Sequence, residues 1–126
     1  MNNSYIVIVD SKKFMEKLIS ILSRASEQLE EGWLYLPKDE AWSLDTLGLM
    51  IDIEALEDGD MDENDVPVFA KENGLMFTLE AGVIESIVLY AEGLGYESSD
   101  IFLLESFLYY YKYDAFLSAP QKESRR

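Results

Sequence analysis

Apolar residues recur along this chain at two periods, and the period separates helix from strand. Phe14, Leu18, Ile21, Leu22, Ala25 and Leu29 fall at helical spacing. They predict a helix capped by Asp10 or Ser11 that runs to about Glu31, with Gly32 as its stop. Ahead of it, residues 5–9 form a β-branched run that reads as a short strand or as an apolar lead-in. Residues 32–37 read as a strand closed by Pro37. Leu47, Leu49, Ile51 and Ile53 alternate with Gly48, Met50 and Asp52, the period of a half-buried strand. Leu75, Phe77 and Leu79 repeat that pattern. These last two strands are expected to lie side by side, with the Leu47, Leu49, Ile51 and Ile53 row facing a helix. Between them, Pro67 and Gly74 bracket a short stretch with room for a turn or two of helix.

Residues 80–92 predict a long helix whose apolar face is Val83, Ile84, Ile87, Val88 and Ala91, broken by Gly93 and Gly95. Ser98, Ser99 or Asp100 caps the final helix. Its stripe is Ile101, Leu104, Leu108 and Tyr111, widened by Phe102, Tyr109, Tyr113 and Phe116. There is no internal repeat and no interior linker long enough to divide the chain. The expected fold is α+β: one globular domain over residues 1–117, with a small, mostly antiparallel sheet packed by about three principal helices. Residues 118–126 read as a flexible C-terminal tail.

Charge and composition narrow the chemistry. The 126 residues hold 10 Lys+Arg against 25 Asp+Glu, a formal net charge of −15. An aromatic content of 13% is too high for a disordered acidic chain, so the protein is expected to fold. The tail holds three of the ten basic residues, which leaves the body more acidic than the whole. There is no His and no Cys. A Ser-His-Asp triad, an imidazole base, a thiolate nucleophile, a disulfide framework and a Cys-bearing zinc site are all excluded. No catalytic residues and no cofactor are assigned, and a carboxylate-based metal hydrolase is the weakest of the readings. The apolar run near the start is too short for a secretory signal, and no stretch approaches the ~20 apolar residues of a bilayer span. A cytoplasmic protein is expected. Direct contact with nucleic acid or an anionic membrane would be opposed by the charge.

The acids are not spread evenly. Asp52, Glu54, Glu57, Asp58, Asp60, Asp62, Glu63 and Asp65 follow one another with no Lys or Arg between them. The run opens like a calcium loop, but an EF-hand needs Gly at position 6 and Glu at position 12. Counted from Asp58 these positions are Glu63 and Phe69; counted from Asp60 they are Asp65 and Lys71. Both frames fail, and no metal site is assigned. Two readings remain on equal terms: a solvated loop, and an electrostatic handle for a basic partner. Core packing is favoured for the C-terminal aromatics as a group, and for Trp33 and Trp42 core or rim packing. However, successive helical residues point ~100° apart, so Tyr109, Tyr110 and Tyr111 cannot all be hidden. Asp45 is expected to fix the turn before Leu47 through Thr46 or a nearby N–H.

The run from Trp33 through Pro37 to Glu40, then Trp42-Ser43-Leu44-Asp45-Thr46, resembles a family of small bacterial proteins. So do Phe69-Ala70-Lys71-Glu72-Asn73-Gly74-Leu75 and the closing Tyr109-Tyr110-Tyr111-Lys112-Tyr113-Asp114-Ala115-Phe116. That family is the immunity proteins of contact-dependent growth inhibition and related polymorphic toxin systems. The resemblance spans about residues 33–117. It implies a cytoplasmic, non-catalytic inhibitor that binds a cognate toxin domain, often a nuclease, in a 1:1 complex. A nuclease surface attracts phosphate and is therefore basic, which an acidic inhibitor complements. The expected partner-binding residues are Glu57, Asp58, Asp60, Asp62, Glu63 and Asp65, with Tyr110 as an aromatic anchor. The alternative is an acidic regulator or DNA mimic that occupies a nucleic-acid-binding protein. A mimic would distribute its carboxylates along the fold, whereas eight of the 25 acids here share one segment.

Overall fold

The computed structural model describes residues 15–52, 58–61, 67–95 and 99–119. The expected strand at residues 5–9, the caps at Asp10 and Ser11, Phe14, Ile53 and residues 120–126 of the tail lie outside them. Four strands make one antiparallel sheet in the order β1-β3-β2-β4: β1 (Glu16–Lys17), β2 (Trp33–Pro37), β3 (Leu47–Ile51) and β4 (Leu75–Glu80). Helices α1 (Leu18–Arg24), α3 (Ala81–Gly93) and α4 (Asp100–Tyr113) cover one face, and the short α2 (Val68–Glu72) covers part of the other. The architecture is α+β, as expected.

The first helix is much shorter than its periodicity predicts. Glu16 and Lys17 pair with Gly48 and Leu47 as a strand, so the helix starts only at Leu18. No side chain caps it; the Leu18 and Ile19 N–H groups donate to the carbonyls of Thr46 and Leu44, at 2.8 and 3.1 Å. After Arg24 the chain continues in turns, yet Ala25 and Leu29 stay buried with Leu18, Ile21 and Leu22. The apolar spacing thus reported the buried side correctly but not the extent of helix. Arg24 forks onto Glu16 and reaches Glu30 at 3.1 Å, clasping the helix to β1 and to its own exit. The hydrogen bond to Glu16 raises the already high pKa of the guanidinium, so the clasp stays charged.

The strands expected to be neighbours are separated. β2 lies between β3 and β4, pairing Leu34 with Met50 on one side and Leu36 with Met76 on the other. Part of the β3 row faces a helix as expected, but that helix is the short α2 and not one of the long ones. Leu34 and Leu36 of β2 enter the helix-side core, and Met50 packs there with them. Gly48 lies on that side too; a Cβ on it would stand 2.5 Å from a Leu36 methyl. Leu49 and Ile51 instead join Tyr35, Leu75, Phe69 and Ala70 in a second cluster beneath α2, and Leu47 is exposed. Along β4, a bulge opposite Leu34 shifts the register between the Trp33–Glu80 and Tyr35–Phe77 pairs. Leu75 therefore belongs to the second cluster while Leu79 packs against the helix-side core. Thr78, buried at the bulge, donates its hydroxyl to the Leu34 carbonyl at 2.8 Å.

Helix α3 buries Ala81, Ile84, Ile87, Val88 and Ala91, close to the expected face. Ser99 is the cap of α4, its hydroxyl accepting from the Phe102 N–H at 3.2 Å. The buried stripe of α4 is rotated from the expected one. Phe102, Leu103, Ser106 and Phe107 are inside, whereas Ile101 is 55% exposed and Tyr111 faces outward against Trp42. Apolar residues surround most of this helix, so its own sequence offers two stripes. Packing on α1 and α3 selects one.

Candidate functional site

The acidic segment leaves the sheet at Asp52, directly after β3. Asp58, Gly59 and Asp60 form one 3-10 turn, and Met61 pairs with Pro67 in an isolated antiparallel bridge. Asp60 is exposed. Glu57, Asp62, Glu63 and Asp65 lie outside the described residues. The chain then enters α2, whose Phe69 and Ala70 pack with Tyr35, Ile51 and Leu75. α2 therefore lies on the face of the sheet opposite the long helices.

On that same face α2 leaves a strip uncovered. Trp33 and Phe77 are 37% and 39% exposed, with ring centroids 4.5 Å apart. Tyr35, almost wholly buried, meets Phe77 edge-on at 6.1 Å and supports it from below. Burial raises the pKa of the Tyr35 phenol, which keeps it neutral. Beyond Trp33 the sheet ends in an open cleft of about 420 Å³. Glu31, Asp52 and Glu80 line it, and among the described residues its lining holds no Lys or Arg. Gly32 builds the floor. Its φ of +141° and a Cβ position 2.7 Å from the Ile51 carbonyl oxygen admit no side chain. Its carbonyl accepts the first N–H of α3 from Ala81, at 2.9 Å. Gly32 is thus a crossing point of three elements and not the stop of the first helix.

Tyr110 lies elsewhere, on α4 in the helical layer. It is half-buried, with its ring 5.3 Å from Phe116, which in turn stacks on Tyr90 at 4.7 Å. Loss of hydration, helped by the charge and hydrogen bonding of Asp114, raises its pKa. The expected anchor thus lies in the helical layer, away from the face of the sheet on which Trp33 and Phe77 are exposed. Asp45 does not lock its turn as expected. Ser43 and Thr46 do so, through the Ser43 N–H to the Thr46 hydroxyl at 2.7 Å, and Asp45 pairs with Lys17 at 3.3 Å.

Sequence reasoning missed Trp33 and Phe77. The available signal was Trp33 following Glu30, Glu31 and Gly32, but the proximity of Phe77 depends on strand order. Among the described residues no group of three Asp or Glu side chains is placed to hold a metal ion, and no helix is long and apolar enough to cross a membrane. The arrangement offers a recognition surface: a rigid aromatic platform rimmed by carboxylates. No curated protein and no solved structure matches the chain. Residues 15–119 match the family described as a domain of unknown function, DUF7716, and the chain belongs to that family.

Proposed function

We propose that this chain is an immunity protein of the contact-dependent growth inhibition type. It binds a basic toxin domain one to one and neutralises it without catalysing a reaction; a nuclease domain is the best electrostatic fit. One observation carries the reading: the acidic segment begins at Asp52, which lines a cleft together with Glu31, Glu80 and the exposed Trp33 ring. Carboxylates at the rim of an interface mainly accelerate association, and aromatic groups near its centre slow dissociation. Two of the protein's own bases, Lys17 and Arg24, are engaged with Asp45, Glu16 and Glu30 and do not line this cleft.

The test is association kinetics with the toxin domain encoded beside this protein's gene. Replacing Asp58, Asp60, Asp62 and Glu63 together by Asn or Gln keeps their size and removes four charges. The association rate should fall roughly ten-fold at low salt and much less at high salt, where screening shortens to a few ångströms. Protection of toxin-expressing cells should weaken in parallel. Parental association at every ionic strength, with protection intact, would remove the electrostatic basis of the reading.

A further inference from the structure

We infer that the Trp33–Phe77 pair anchors a docking surface for an arginine-bearing basic segment of a protein partner. This takes from the functional reading only that the partner is a basic protein, and it adds the contact residues and the side-chain chemistry. The two rings remain more than one-third exposed on a face that α2 covers only in part, and Tyr35 holds Phe77 from the buried side. Two aromatic rings in contact on a strand pair, each more than one-third exposed, form an apolar surface that α2 leaves open.

Charge selects the occupant. Glu31, Asp52 and Glu80 surround the cleft at the Trp33 end. Phosphate-bearing ligands meet this lining and the −15 body as repulsion. A second copy of the chain would bring the same acids against themselves. A basic peptide segment is complementary to both elements. Between the two cationic side chains the geometry favours arginine: its planar guanidinium stacks on an aromatic face and bonds carboxylates through paired N–H groups, whereas an ammonium ion does neither in plane.

Titration of the full chain with hexa-arginine and hexa-lysine peptides at low salt tests this, read by the NMR signals of the two tryptophan indole N–H groups. Hexa-arginine should move the Trp33 signal saturably and leave that of Trp42, whose N–H is bonded to the Pro37 carbonyl, in place. By calorimetry, hexa-arginine should bind about five-fold or more tightly than hexa-lysine, and Trp33→Ala should weaken it about ten-fold. The double variant Glu31→Gln/Glu80→Gln alters only exposed side chains and should weaken it comparably, which covers the case in which Trp33→Ala fails to fold. Equal affinity for both peptides, unchanged in the double variant, would reduce the effect to diffuse charge and overturn the proposal. So would a Trp33 shift that follows protein concentration without peptide, or one produced by duplex DNA. The titration uses no toxin, so its failure removes this anchor alone. Failure of the four-acid replacement to affect toxin binding would remove the immunity reading and leave the anchor standing.

Discussion

The Glu85 carboxylate accepts a hydrogen bond from the Leu29 backbone N–H at 2.7 Å, across 56 residues of sequence. It ties the irregular chain after α1 to the middle of α3 and supplies a partner for an N–H that no longer belongs to a helix. Glu85→Ala should cost about 1.5–3 kcal/mol, the range for a lost hydrogen bond to a charged group that orphans its donor. Glu85→Gln keeps an acceptor oxygen and should recover part of that loss. Urea unfolding of the two variants checks the ordering, and equal losses would show that the bond contributes little.

Gly32 and Gly93 make opposite predictions. Gly32 has positive φ and backbone atoms where a Cβ would go, so Gly32→Ala should cost roughly 3 kcal/mol through strain and overpacking. Gly93 closes α3 with open space around its missing Cβ, so Gly93→Ala should stabilise by about 0.5–1 kcal/mol. Thermal melts of both proteins test the pair. A Gly32→Ala protein that melts like the parent would contradict the close approach to Ile51.

Ser106 is 2% exposed on the inner face of α4, and its hydroxyl is buried with no hydrogen-bond partner. Such a group bears its desolvation cost without return. Ser106→Ala should therefore leave stability unchanged or raise it by about 1 kcal/mol, contrary to the usual loss for a core substitution. A clear drop in the denaturant midpoint would mean that the hydroxyl does find a partner.

Tyr110 and Asp114 set a dependence on alkaline pH. The raised phenol pKa means that the folded state favours neutral Tyr110 more than the unfolded chain does. Its contribution to stability is complete below the ordinary tyrosine range and is lost as pH rises through the raised value. Absorbance titration should show late phenolate ionisation from Tyr35 and Tyr110, and Tyr110→Phe should remove the Tyr110 transition. Asp114→Asn should bring that transition only part of the way back, because loss of hydration is the largest cause and the carboxylate a smaller one. A full return would reverse that order.

The sequence by itself determined the α+β class, the end of β2 at Pro37, the start of α4 to within the three residues 98–100 and most of the face of α3. In each case local chemistry suffices. Pro37 ends a strand, a serine hydroxyl meets an exposed helical N–H, and one apolar stripe on α3 clearly exceeds the rest. It also placed eight acids in one segment, of which Asp52 lines the cleft. Tertiary structure decided what a period cannot state, namely which neighbour each face meets. Alternation along β3 shows two sides without showing that Met50 takes the helices and Ile51 takes α2. One bulge moves Leu79 to the other side from Leu75. Pairing with β3 converts Glu16 and Lys17 from helix to strand, because the ladder offers those N–H and C=O groups partners that a longer helix would otherwise have to supply. The aromatic half of the site arises in the same way. Trp33 and Phe77 are 44 positions apart and touch only because β4 adds to β2 rather than β3, a choice made by the packing of all four strands and written in neither segment alone.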